Sequence, residues 1–563
     1  MKLTSDRKRF PIWELLTAAL FSFFMVFGSA FESSGDYRFL FADWSCCLLT
    51  AGQFLLWFVL LFAGISFLFS HWDAPAQLPS GRGMWEKAPA WIQPILRLIR
   101  RWADLLYRRP VTVTFLTLLI KNIPYFIVSY PGLFMGDTQS QMGQLMGTAT
   151  VSNHHPLIHT ALMGLFLKLR GLFGWNGSIF LYSLFQALLL LAVISLCIRT
   201  LVRLRCRKWI TLSILLFYLF HPRIESYLFL VSKDVIYTAF FVLFVLLLFR
   251  FVDKEAKMTR SEWVLFALSI VGTVFFRSEG KLIVIGTLVP ALFIKRKPVR
   301  RQAAALLLLA LLSGSFVTNV VCPAMGAKTI TDTKEMLSVP FQQTARYVLE
   351  YGDEVTEEER QAIDAVLDYD SLAENYNPSL SDPVKSTYKK NGRALPAYFR
   401  VWFQMLCKHP GVYIRATMNN YYQYFYPGSA AVGKYTYRWS AASMVNTNNA
   451  TGQTGFSYPQ STEDLRTLLE QYRDTIFQSP VLSLVYQSAI YTWLAILCIV
   501  YTLRKRSLAG FVGTMPMVVQ ILIFITGPTN GYYGRYQFPM LIYLPMVLVL
   551  LPRMLASEKP KGR

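Results

Sequence analysis

The sequence predicts an all-α polytopic membrane protein of about twelve spans, with one large segment held outside the bilayer. Three observations predict it. Of 563 residues, 54% are hydrophobic and only 16% are charged, against roughly 25% charged in soluble domains. Apolar runs of about 20 residues, enough to cross a bilayer as helix, recur through most of the chain. Threaded alternately through a membrane, these runs leave every strongly basic short loop on one side, the arrangement that fixes topology. Such a composition excludes a soluble globular enzyme, a disordered tail protein and a disulfide scaffold.

The first segment, 1–110, holds runs at 12–31 and 46–70 and then a basic stretch from Arg82 to Arg109. No small-residue cleavage site follows the first run, so it reads as a retained span. The second segment, 111–322, holds runs at 112–130, 176–198, 209–221, 235–251, 263–276, 281–294 and 304–322. Residues 263–276 and 281–294 supply only 14 positions each, about 21 Å of helix against a core of about 30 Å. The polar turn Arg277-Ser278-Glu279-Gly280-Lys281 between them is therefore expected below the outer surface. A second polar dip is expected where the short run 209–221 meets His221, Arg223 and Glu225.

The third segment, 323–480, is large enough for a water-facing domain and carries 17 acidic and 15 basic residues. Its part 351–376 is helical in pattern, 427–462 reads as irregular loop, and Tyr421–Tyr426 reads as an interfacial aromatic belt. The fourth segment, 481–563, adds runs at 481–503, 508–527 and 536–552 and a basic tail. Arg7–Arg9, Arg203–Lys208, Lys254–Arg260, Lys295–Arg301, Arg504–Arg506 and Arg553–Arg563 then share the cytoplasmic side with both termini.

The net charge of +23 is accounted for by these loops, and no nucleic-acid partner is implied. Seven cysteines are scattered without CxxC spacing, which indicates neither a zinc site nor a disulfide framework.

The chemistry concentrates outside the third run. Pro131-Gly132 ends a helix, Asp137 follows, and Gln141 lies one helical turn further on. Asn153-His154-His155-Pro156 comes next, then an apolar stretch 157–168 suited to a helix along the membrane surface. Taken singly, Asp137 also fits a helix cap and His-Pro a helix start. Topology gives the set its weight: Asp137, His154, His155, Lys233, Asp234, Arg277, Glu279 and Arg535 all fall at the outer face. One carboxylate with several cations at headgroup depth is equipment for handling an anionic lipid. A lone Asp with two nearby histidines would hold a divalent ion such as Mg or Mn only weakly, so the spacing supports no metal site.

Several motifs resemble those of the GT-C superfamily of polytopic glycosyltransferases, in particular a bacterial family of uncharacterised multi-pass proteins within it. They are PGxxxxDxxxQ at Pro131–Gln141, NHHP at Asn153–Pro156, SKD at Ser232–Asp234, the FR-x-x-G turn at Phe276–Gly280, and GRYQFPMLIYLP at Gly534–Pro545. The resemblance implies a GT-C-like core over 111–322, with a catalytic first outer loop at 131–175, in a bacterial cytoplasmic membrane. It implies a polyprenyl-phosphate-sugar donor, a glycan, lipid or protein acceptor, and one inverting displacement with Asp137 as base. Lys233, Arg277 or Arg535 would hold the departing lipid phosphate. Gln141, His154 and His155 would position sugar or acceptor, with Asp234, Glu279 and Tyr536 completing the substrate site. Segment 323–480 would cover that site and choose the acceptor. The competing expectation is a transporter or flippase of an anionic lipid or lipid-linked glycan, which would use the same cations. An assembly factor or an intramembrane-His acyltransferase fits the pattern less well.

Overall fold

A computed structural model describes residues 10–72, 92–330, 333–429, 438–528 and 534–557. The basic segments Arg7–Arg9 and Arg82–Lys87, and the tail after Ala556, lie outside or at the edge of this set. Among the described residues the regular structure is helical, with two isolated β-bridges and no strand.

Among the described residues, eight helices are long and apolar enough to cross a membrane. These include α1 (Ile12–Ser34), α2 (Trp44–Trp72), α4 (Pro110–Val128) and α7 (Arg170–Arg203), with the amphipathic α3 (Gln93–Arg108) between α2 and α4. The others are α10 (Lys233–Val252), the helix starting as α13 (Lys297–Phe316) and running on to Ala324, α21 (Leu508–Thr526) and α22 (Phe538–Ser557). The fold is that of an all-α membrane protein. The four remaining expected runs are also helices, but of 13, 17, 14 and 18 residues: α8 (Lys208–Phe220), α11 (Arg260–Phe276), α12 (Ser278–Ala291) and α20 (Ser488–Lys505).

The interior position in this bundle belongs to α10. Its sequence is apolar all round, as a helix surrounded by others must be, and 18 of its 20 residues are buried. It packs against α7, α11, α21 and α22. By contrast, α2 exposes most of its apolar surface and packs chiefly on α1.

Short helices cap one end of the bundle. They are α5 (Gly136–Met146), α6 (Leu157–Leu167) and α9 (Pro222–Leu228). All seven residues of α9 are buried. His221 caps it by accepting from the Arg223 N–H at 3.2 Å, and Glu225 pairs with Lys121 from α4. A buried cluster of polar side chains thus follows the short run 209–221.

The non-spanning segment divides in two. Helices α14 (Ser338–Tyr351), α15 (Glu357–Asp364), α16 (Leu395–Lys408) and α17 (Pro410–Tyr421) surround their own core of Phe341, Tyr347, Leu367, Tyr398 and Met405. The second part, with α18 (Ala441–Thr451) and α19 (Glu463–Gln478), lies over residues 129–139 instead.

Three expectations need correction. Residues 427–462 contain α18, although Asn and Thr are poor helix formers. Ser440 caps its start by accepting the Ser443 N–H, Gly452 ends it at φ 65°, and packing on α5 supports the rest. The Tyr421–Tyr426 run is not only a belt: Tyr422 and Phe425 are buried with Phe24 and Phe31 of α1, and Phe24 stacks on Phe425 at 4.4 Å. The turn at 277–281 is a single extended residue, Arg277, after which Ser278 already begins α12.

Candidate functional site

Two remote motifs meet through three hydrogen bonds. The Leu133 N–H donates to the Phe229 carbonyl at 2.8 Å, and the Val231 N–H donates to the Leu133 carbonyl at 2.9 Å. The Thr138 hydroxyl also donates to the Val231 carbonyl. Gly132 permits this approach, because a Cβ there would lie 2.5 Å from Val231 Cγ2 on a backbone at φ 151°. The chain turns into α5 just after Leu133 and into α10 just after Val231. Asp137 and Lys233 therefore start neighbouring helices and face each other.

Lys233 Nζ donates to Asp137 Oδ2 at 2.8 Å, and Arg535 Nη2 donates to the same oxygen at 2.6 Å. Arg535 also reaches Asp234 Oδ2 through Nε at 3.0 Å. Arg277 Nη1 pairs with Asp234 Oδ1 at 2.5 Å, and Arg277 grips Glu279 with Nε and Nη2, both at 3.1 Å. The guanidinium of Arg277 lies 4.7 Å from the Tyr536 ring centre and 5.6 Å from that of Tyr237. The result is an unbroken alternation of charge: Lys233, Asp137, Arg535, Asp234, Arg277, Glu279. Three carboxylates face three cations, each satisfied by its neighbours, as buried charge must be.

His155 joins the cation end. Its Nδ1 lies 3.1 Å from Lys233 Nζ and 4.0 Å from Asp137 Oδ2. Burial first, and then the charge of Lys233, push the His155 pKa down to about 3, so the ring is neutral and Nδ1 accepts from the lysine. Burial opposes ionisation of Asp137, but Arg535 and Lys233 outweigh it and hold this carboxyl well below the usual range.

A pH prediction follows from His155. The unfolded chain takes up this proton below about 6.5, while the native protein resists until about 3, so His155 lowers native stability as pH falls through that window. Between pH 6.5 and 5.0 the cost is about 1.5 kcal/mol. Thermal unfolding in detergent should show His155→Gln losing less stability than wild type over this interval. Equal losses would remove His155 as the source.

Gly280 sets the position of Arg277 and Glu279. A Cβ at residue 280 would lie 1.9 Å from the Thr273 carbonyl oxygen in the last turn of α11. Gly280→Ala must separate the two helix ends and should cost about 1–3 kcal/mol, read as a lower unfolding temperature with weakened binding at the site. A fully wild-type unfolding temperature would contradict the packing.

The sequence-expected residues do not all converge. Asp137, His155, Lys233, Asp234, Arg277, Glu279, Arg535 and Tyr536 form one contact chain. His154 lies beside His155, with ring centres 4.6 Å apart, but is exposed. Gln141 points elsewhere: it donates to Thr160 Oγ1 at 2.8 Å and meets His159 Nδ1 at 3.0 Å, fully buried under the site. It supports the loop and touches none of the charged groups.

Sequence reasoning missed His159, which is buried and bonded to Gln141 and Tyr182. Its spacing of four from His155, which puts both on one stretch of chain entering a helix, was the available signal. Ser232, read from the sequence only as the first residue of the SKD motif, also contributes. It caps α10 by accepting the Asp234 N–H, and its hydroxyl donates to Asp234 Oδ2 at 3.2 Å.

The second part of the non-spanning segment covers this assembly. Tyr458 donates to the Gly132 carbonyl at 3.0 Å, Trp439 to Ser129 Oγ at 3.1 Å, and Gln139 to the Ser443 carbonyl at 3.2 Å. Beneath that cover, the side chains of Asp137 and Glu279 are 23% and 27% exposed, while Lys233 and Arg535 are each 10% exposed. Asp137 and Glu279 are thus the most accessible charged groups of the chain. Among the described residues, no group of three or more His, Cys, Asp or Glu side chains is placed to hold a metal ion.

Fold and site together define a multi-pass α-helical membrane protein with a buried ionic cluster at one end of its bundle. The chain belongs to DUF6020, a family of unknown function whose family model matches residues 145–562. That span includes His155, Lys233, Asp234, Arg277, Glu279, Arg535 and Tyr536, while Asp137 and Gln141 precede it. No curated protein and no solved structure matches the chain.

Proposed function

We infer that the protein is a membrane glycosyltransferase of the GT-C type, with twelve spans, moving a sugar from a polyprenyl-phosphate donor to an acceptor at the outer face. The observation that carries this reading is Asp137: a partly accessible carboxylate held by Lys233 and Arg535, which come from positions 96 and 398 residues away. A transferase of this kind needs a base that an acceptor hydroxyl can reach and cations beside it for the leaving phosphate. Asp137 supplies the first, and Lys233 and Arg535 the second.

The ion pairing gives the mechanism an order. With both cations on its oxygen, Asp137 is a weak proton acceptor. A donor phosphate engaging Lys233 and Arg535 draws them from the carboxylate and raises its basicity beside the bound substrate. The acceptor hydroxyl then attacks the anomeric carbon, its proton passes to Asp137, and the glycosyl–phosphate bond breaks with its electrons going to the lipid phosphate. Arg277, already neutralised by Asp234 and Glu279, positions the cluster. No water attacks, so no second catalytic carboxylate is required. The gathering of charge at one end of the helices supports a transferase over a transporter, whose ion and substrate sites lie near the midplane.

Binding of polyprenyl phosphate, the donor's leaving group, tests this assignment. Lys233→Gln and Arg535→Gln should each weaken it by about tenfold or more, consistent with loss of a charge-assisted contact worth about 1.5–3 kcal/mol. Unchanged affinity in both variants would remove the cations from the donor site.

A further inference from the structure

A second cationic feature lies at the far end of α10. Lys233 begins this helix and Arg250 is 17 positions later, about 25 Å along the axis, so the feature is separated from the ionic cluster by most of a bilayer core. There α7 and α11 flank α10 and leave an open groove. Its floor includes Leu243 and Leu247 of α10, and its rim carries Arg199 and Arg203 of α7 with Arg250 and Glu262.

The rim has an excess of two positive charges. Arg250 donates to Glu262 Oε2 and to the Lys257 carbonyl, both at 3.3 Å, and its buried Nε has no hydrogen-bond partner. Arg199 and Arg203 stand one helical turn apart on α7, and Arg199 also feels the charge of Glu262. A rim of three arginines and one carboxylate would ordinarily sit in open water. Here the same groove is also lined by leucines, Leu196 of α7, Leu243 and Leu247 of α10 and Leu265 of α11 among them.

We propose that this groove binds an anionic membrane lipid, its phosphate on Arg199 and Arg203 and an acyl chain along Leu243 and Leu247. The two halves of the groove match the two halves of that ligand. Guanidinium groups recognise phosphate through paired N–H donors, and basic pockets between spanning helices suit anionic headgroups. A free phosphate would use the rim and leave the furrow empty. A zwitterionic lipid would fill the furrow but bring its own cation to the arginines.

Native mass spectrometry of the full-length protein in detergent tests the proposal, with phosphatidylglycerol, phosphatidylcholine and inorganic phosphate as probes. Wild type should retain phosphatidylglycerol over phosphatidylcholine, and inorganic phosphate at equal concentration should not displace it. Arg199→Gln/Arg203→Gln should bind phosphatidylglycerol on the order of 30-fold more weakly. Arg199→Lys/Arg203→Lys, which keeps the charge, should recover most of the loss and so separate lipid binding from folding. Retention by the Gln pair equal to wild type would overturn the proposal. So would a Lys pair no better than the Gln pair, the absence of any preference over phosphatidylcholine, or full displacement by free phosphate.

Discussion

Asp137→Asn is expected to reduce sugar transfer by about a thousandfold, within the range a lost general base produces, while leaving the protein folded. Asparagine keeps the shape and one oxygen that can still accept from Lys233 and Arg535, but it cannot take the acceptor's proton. The comparison is informative because Asp137 keeps 23% of its side chain exposed. Its removal leaves Arg535 still paired to Asp234 at 3.0 Å and Lys233 still bonded to His155 at 3.1 Å. Initial rates with saturating donor, beside unfolding temperatures of both proteins, provide the check. Substantial turnover by a folded Asp137→Asn protein would exclude the base role.

The largest effect on stability is expected from Arg277→Ala. This side chain is 5% exposed and satisfies both Asp234, itself 1% exposed, and Glu279. Its loss strands one carboxylate with Arg535 alone and leaves the other without a cation. Breaking a buried pair from one side costs about 3–5 kcal/mol, because the remaining charge keeps its desolvation penalty. Arg277→Ala/Asp234→Asn removes the stranded charge as well, so it should be less destabilised than the two single variants added together. A coupling of about 1–3 kcal/mol is expected from groups in direct contact. Chemical unfolding in detergent measures the cycle. Strict additivity would mean that Arg277 does not stabilise Asp234.

Much of the architecture could be read from the chain because bilayer physics writes it into composition. A helix that crosses lipid must be apolar for its whole length, so α1, α2, α4, α7, α10, α13, α21 and α22 announce themselves. The convergence of the site was legible for a related reason. Alternating spans leave only two ends, and Asp137, Lys233, Arg277 and Arg535 all fall at the same one. Which cation meets which carboxylate was not legible. That depends on the Leu133–Leu230 bridge and on the single extended residue Arg277, neither of which leaves a periodic signal.

Gln141 illustrates the limit. Its spacing from Asp137 correctly placed both in one helix, but the two side chains go to different neighbours, Gln141 to His159 and Thr160. Helix α18 illustrates another. Its Asn- and Thr-rich sequence favours loop by propensity, and only its caps and the contact with α5 hold it helical. The tyrosines at 421–426 read as an interfacial belt because composition shows amphipathic rings without showing that α1 would cover two of them.

The central claim rests on chemistry at Asp137, and one measurement addresses it most directly. Purified wild type and Asp137→Asn in nanodiscs would be mixed with radiolabelled polyprenyl-phosphate sugars and envelope acceptors. The account predicts label moving from lipid to acceptor with wild type and not with Asp137→Asn. Donor bound equally by both proteins, with no transfer from any donor in the panel, would contradict it and favour lipid transport.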